Sequence, residues 1–165
     1  MLGGTRSGKS RYAEALVGAL PPPWLYLATG EACDDEMTAR IAAHRTRRGP
    51  DWRTIEVPRD LAGALARAPA GGAILVDCLT LWLSNLMLAD ADIEAESDRL
   101  DDALARANGP VVLVSNEVGF GIVPDNALAR RFRDAQGVLN QRMAARADRV
   151  VLMVAGLPLV VKGQP

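Results

Sequence analysis

At 165 residues the chain fits a single domain, 1–165, large enough to bury most of its apolar surface. Hydrophobic residues make up 49% and charged residues 24%, and the net charge is −1, so bulk electrostatics gives no argument for a nucleic-acid partner. Cys33 and Cys78 lack metal-ligand spacing and read as free thiols in a reducing compartment; with no recognisable signal peptide, the expected location is cytoplasmic.

Gly3-Gly4-Thr5-Arg6-Ser7-Gly8-Lys9-Ser10 is a complete G-x-x-x-x-G-K-S phosphate loop. Backbone N–H groups of such a loop wrap nucleotide phosphates, Lys9 supplies charge to the outer ones, and the Ser10 hydroxyl can ligate Mg²⁺. Residues 11–20 (RYAEALVGAL) read as the helix that follows, stopped by Pro21-Pro22-Pro23. A phosphate loop should follow a buried strand, yet only Met1 and Leu2 precede it. The first strand therefore reads as truncated, and several further apolar residues are expected ahead of Gly3.

Residues 24–29 (WLYLAT) form an apolar run after the proline break and read as a strand. Asp34-Asp35-Glu36 opens a helix reaching about Arg48, before Gly49-Pro50. Residues 52–57 alternate like a short strand, and 61–68 read as a short helix. Residues 73–76 (AILV) are an unbroken apolar run ending in Asp77, as in a parallel strand buried on both faces. Residues 79–87 and 94–107 read as helices; the apolar stretch 79–89 is too short to span a bilayer and contains Ser84 and Asn85. Residues 111–114 are a further strand. Residues 127–147 carry the longest helical pattern, with Leu128, Phe132, Leu139 and Met143 on its apolar face. Residues 150–154 are a last core strand, and 159–161 an edge strand. The alternation predicts an α/β doubly wound, mostly parallel sheet of the phosphate-loop type, with ligand outside the carboxyl ends of its strands.

Asp77, at the end of its apolar run, suits a carboxylate that holds Mg²⁺ directly or through water; the competing reading is a helix cap. His44 is the only histidine and shares a helical stripe with Met37 and Ile41. A histidine there is commonly a hydrogen-bonded core residue. Arg40, Arg45, Arg47, Arg48 and Arg53 crowd the same stretch, however, and nearby cations disfavour imidazolium. A neutral imidazole among arginines is what attack on a nucleotide α-phosphate requires. Residues 116–124 (NEVGFGIVP) follow a core strand, with glycines that permit close backbone approach and a carboxylate at the ligand-binding edge.

The phosphate loop, RIAAHRTRRGPDWRTIE (40–56), NEVGFGIVP and LARRFRDAQGVLNQRMA (128–144) together resemble the bifunctional adenosylcobinamide kinase/adenosylcobinamide-phosphate guanylyltransferases of cobalamin biosynthesis, the CobU/CobP type. The likeness covers essentially the whole chain. It implies phosphorylation of the aminopropanol hydroxyl of adenosylcobinamide by ATP or GTP. GMP is then transferred from GTP to the new phosphate through a guanylylated histidine, with release of pyrophosphate. By motif position the resemblance makes His44 the nucleophile. It puts Gly3, Gly4, Thr5, Arg6, Ser7, Gly8, Lys9, Ser10, Thr29, Gly30, Glu31, Arg45, Thr46, Arg47, Arg48, Glu56 and Asp77 against GTP, with Ser10 and Asp77 toward Mg²⁺. It also implies a homotrimer, a small-molecule corrinoid substrate, and neither a nucleic-acid partner nor a membrane span. Two other readings compete: a plain small-molecule kinase in which His44 is structural, and a nucleotide-binding switch. The missing N-K-x-D guanine signature weakens the switch.

Overall fold

The computed structural model describes residues 1–31 and 49–164. Its elements are β1 (Leu2–Gly3), α1 (Lys9–Gly18), β2 (Trp24–Ala28), β3 (Trp52–Glu56), α2 (Leu61–Ala66), β4 (Ala73–Asp77), α3 (Leu79–Leu88), α4 (Ile93–Ala105), β5 (Val111–Val114), α5 (Ala127–Arg146), β6 (Val150–Val154) and β7 (Leu157–Lys162). The fold is α/β with a mostly parallel sheet. β3, β2, β4 and β5 pair in parallel in that order, β1 pairs in parallel with β6, and β7 closes that side antiparallel. The two groups are joined through β1. The Met1 amine donates to Leu113 O (2.8 Å), Ser115 N–H to Met1 O (2.9 Å) and Glu117 N–H to Gly3 O (3.1 Å). The sheet thus runs β3-β2-β4-β5-β1-β6-β7.

Strand periodicity sorts the core into two layers. Leu25, Leu27, Ile74 and Val76 face one way and pack with Leu61 and Leu65 of α2, Trp82 and Leu83 of α3, and Leu139 and Met143 of α5. Tyr26, Ala73 and Leu75 face the other way, with Val114, against Ala13 and Val17 of α1. Each fully buried aliphatic side chain contributes roughly 1.5–3 kcal/mol. Trp82 is wholly buried, and its indole N–H is satisfied by Arg59 O at 2.7 Å. Because α1 leaves the sheet on one face and α5 on the other, the carboxyl ends of β1 and β5 open into the crevice where such folds bind ligands.

Four expectations shift. The first helix starts at Lys9 rather than at residue 11, because Gly8 (φ +95°) ends the loop and its carbonyl already accepts from Tyr12 N–H at 3.0 Å. Leu128, in the first turn of α5, is more than half exposed, while Leu139 and Met143 are buried as the pattern requires. The edge strand extends over Leu157–Lys162. The short N-terminal segment does take the central position in the sheet, over two strand residues only. Beyond Met1, β5 and β6 stand apart around a cavity of about 560 Å³, lined by Met1, Pro110, Val111, Arg149 and Val150 among others. The helix expected over 34–48 lies outside the described residues.

Candidate active site

Every parallel strand ends at one edge, and the residues singled out in the sequence that the structure describes gather there or just beyond, except Arg53, which lies near the start of β3. The phosphate loop leaves β1 at the centre. Gly3 has φ +150°, and a Cβ on it would come within 2.7 Å of both Met153 O and Ser7 Oγ, so no side chain fits. Arg6 (φ +56°) and Gly8 (φ +95°) turn the backbone through left-handed conformations, the geometry that converges successive N–H groups on an anion. Two neighbours hold the loop: Gly156 N–H, in the β6–β7 turn, donates to Ser7 O (3.1 Å), and Glu117 N–H donates to Gly3 O. Lys9 is buried, with its Nζ donating to Gly4 O at 2.7 Å. Among the described residues Ser7 Oγ is a buried polar atom with no hydrogen-bond partner, packed against the backbone of Gly3. Gly4, Thr5 and Arg6 are exposed, and Ser10 is half-buried.

Asp77 ends β4 between Ala28 of β2 and Val114 of β5. It follows Ala73 and Leu75 at period two, which puts its carboxylate on the α1 face. There Oδ2 accepts from the Tyr26 hydroxyl at 2.9 Å. The N-cap residue of α3 is Cys78, not Asp77. Burial, reinforced by the neighbouring Asp77 charge, pushes the Cys78 thiol up to about 11, so it is a neutral packing group at physiological pH.

Thr29 is fully buried behind this edge. Its Oγ1 lies 2.8 Å from Cys78 N–H and 2.6 Å from Cys78 O, tying the end of β2 to the end of β4. Asn85 Nδ2 donates to Thr29 O (2.8 Å) and Pro58 O (3.0 Å), tying the loops after β2 and β3 to α3. Gly30 is half-buried and Glu31 exposed beside them. Glu56, exposed at the end of β3, pairs with Ala28. Thr29 is therefore a clasp within the site's frame, while Glu31 and Glu56 present their side chains outward.

Behind β5, Ser115 Oγ donates to Asn140 Oδ1 (2.7 Å), Gln136 Nε2 donates to Ser115 Oγ and to Asn140 Oδ1 (both 3.0 Å), and Asn140 Nδ2 donates to Asn116 O (3.0 Å). Asn116 N–H donates to Thr80 Oγ1 at 2.8 Å. This buried network sets the course of residues 115–117 past the phosphate loop. Sequence reasoning missed Tyr26, Asn85, Gln136 and Asn140. Polar residues placed within otherwise apolar stripes were the available signal. His44, Arg45, Thr46, Arg47 and Arg48 lie outside the described residues.

The profile of the family described as cobinamide kinase / cobinamide phosphate guanyltransferase matches residues 1–161. A Pseudomonas aeruginosa protein named bifunctional adenosylcobalamin biosynthesis protein CobP is 49% identical over 168 residues, covering 100% of this chain and 97% of the relative. Proteins from Salmonella typhimurium and Escherichia coli, both named bifunctional adenosylcobalamin biosynthesis protein CobU, are 46% and 43% identical, with 97% of each chain covered.

Proposed function

The chain belongs to the cobinamide kinase / cobinamide phosphate guanyltransferase family, and from that membership we propose that one site performs two successive transfers on a corrinoid. In the first, the side-arm hydroxyl of adenosylcobinamide attacks the γ-phosphorus of ATP or GTP, and the nucleoside diphosphate leaves. In the second, a ring nitrogen of His44 attacks the α-phosphorus of GTP and pyrophosphate leaves. A phosphate oxygen of adenosylcobinamide phosphate then attacks that phosphorus, the N–P bond breaks, and adenosylcobinamide-GDP forms with the imidazole restored.

The phosphate loop carries this reading. Gly3 lets the backbone turn without a side chain in the way, the N–H groups of 4–10 surround the phosphates, and Lys9 turns its ammonium to the outer ones. Arg45, Arg47 and Arg48 would balance phosphate charge near His44, with Thr46, Gly30, Glu31 and Glu56 toward the nucleoside. Among the described residues no group of three or more His, Cys, Asp or Glu could hold a metal. One hydroxyl from Ser10 and one carboxylate from Asp77 form the sparse donor set that suits Mg²⁺ sharing its shell with phosphate and water. Bound there, Mg²⁺ would neutralise charge developing on the phosphates. Homotrimeric assembly and a cytoplasmic location belong to the same proposal. The exposed Leu157, Leu159 and Val161 of β7 offer apolar surface for subunit contact.

The test is product analysis with cobinamide and GTP labelled in turn at the γ- and α-phosphate. Cobinamide phosphate should carry the γ-label and the GDP-linked product the α-label. Absence of the α-labelled product would reduce the protein to a plain kinase, and absence of both would overturn the reading.

A further inference from the structure

The loop between β5 and α5 has a surface that nucleotide binding does not call for. Phe120, Ile122 and Val123 are 84%, 96% and 62% exposed, at the tip of residues 117–126. Such a cluster commonly marks a place where something binds. The loop is nevertheless tethered on both limbs. On entry, Glu117 N–H donates to Gly3 O (3.1 Å) and Gly119 N–H donates to Glu117 Oε1 (2.9 Å). On exit, Arg130 Nη1 donates to the carbonyls of Pro124 (2.9 Å) and Asp125 (2.6 Å), and Asn126 Oδ1 accepts from Ala129 N–H (2.7 Å). The apolar tip is thus held at a set place, and its entry limb is hydrogen-bonded to the first residue of the phosphate loop.

Both proposed transfers bring the same acceptor to the nucleotide. The reacting oxygen sits at the end of a side arm, and the macrocycle behind it is far too large to enter the phosphate loop. A corrin ring carries methyl groups between the amide arms of its rim, and an apolar surface immediately outside the phosphate site would take those methyls. We propose that Phe120, Ile122 and Val123 form that surface and seat the corrin rim, so that the side arm reaches past Glu117 toward the phosphates. This assignment rests on the family activity proposed above. The occupant is the acceptor rather than a second copy of the chain, because the entry limb of this loop is hydrogen-bonded, through Glu117 N–H and Gly3 O, to the start of the phosphate loop where the acceptor must react.

The experiment compares wild type, F120S/I122S and the conservative F120L/I122V in the full chain. Both altered side chains lie outside the core, so folding is checked simply by cooperative melting. The measurements are the KM for cobinamide in γ-phosphate transfer, the Kd for GTP, and the sedimentation coefficient. The proposal expects F120S/I122S to raise the cobinamide KM tenfold or more with GTP affinity within about twofold and assembly unchanged, and F120L/I122V to stay near wild type. An unchanged cobinamide KM overturns it. So does a fall in assembly size with parallel loss of both substrates, which would make the patch a contact between copies. Failure of wild type to phosphorylate cobinamide would instead overturn the family activity, so the two failures are distinguishable.

Discussion

Asp77 has one carboxylate oxygen engaged by the Tyr26 hydroxyl, and the N-cap residue of α3 is Cys78. Asp77 thus does not occupy the capping position at this strand end. Asp77→Asn keeps an oxygen that can accept from Tyr26 but loses the charge. The expected result is a Mg²⁺-dependent rate lower by on the order of 100-fold or more, from losing several kcal/mol of charge stabilisation. The melting temperature should move by no more than about 3 °C, the shift of roughly 1 kcal/mol in a chain this size. Rates and melts on the one mutant check this, and retained rate with unchanged Mg²⁺ dependence would sink the metal role. Tyr26 was not legible in the sequence because its partner lies 51 residues away and depends on the register of β2 against β4. Asn85 was hidden in the same way: in sequence it is a polar interruption of an apolar helix, and only the fold shows the two loop carbonyls it binds.

Among the elements, strands and helices with a clear period were readable from the chain alone. The run at 73–77 and the helix at 79–88 needed no tertiary information, since continuous burial and an apolar stripe each leave a pattern. β1 was not readable, because two residues have no period; its place comes from hydrogen bonds to β5 and β6. That place has a physical cost. Burial, with a smaller contribution from the Lys9 charge, pulls the Met1 amine down from 8.0 to about 6. Between those values the unfolded chain binds more protons than the folded one, so stability rises with pH from 6 to 8. At pH 7 the penalty is on the order of 1 kcal/mol. Adding three apolar residues ahead of Met1 replaces the amine by an amide and lets side chains enter the cavity between β5 and β6. The expected outcome is a melting temperature higher by at least about 3 °C at pH 7 and a shallower rise between pH 6 and 8. Calorimetry at several pH values reads both, and an unchanged melting temperature with an unchanged slope would contradict it.

At the scale of the whole molecule, the sheet brings to one edge groups that are far apart in the chain: the phosphate loop after β1, Gly30 and Glu31 after β2, Glu56 at the end of β3, Asp77 at the end of β4, and the apolar loop after β5. Much of this assembly follows from parallel winding, which the alternation of strands and helices already implied. The buried network of Ser115, Gln136 and Asn140 that steers the β5 loop did not, because it depends on how α5 docks. The central claim is that this edge guanylylates His44 on the way to the corrinoid product. The most direct measurement is incubation of the full chain with α-³²P-GTP and Mg²⁺, acid and base treatment of the labelled protein, and peptide mapping. The account expects a label lost in acid and largely retained in base, as for a phosphorus–nitrogen bond, mapping to His44 and absent from a cooperatively folded His44→Ala variant. Labelling of His44→Ala at the wild-type level would contradict it.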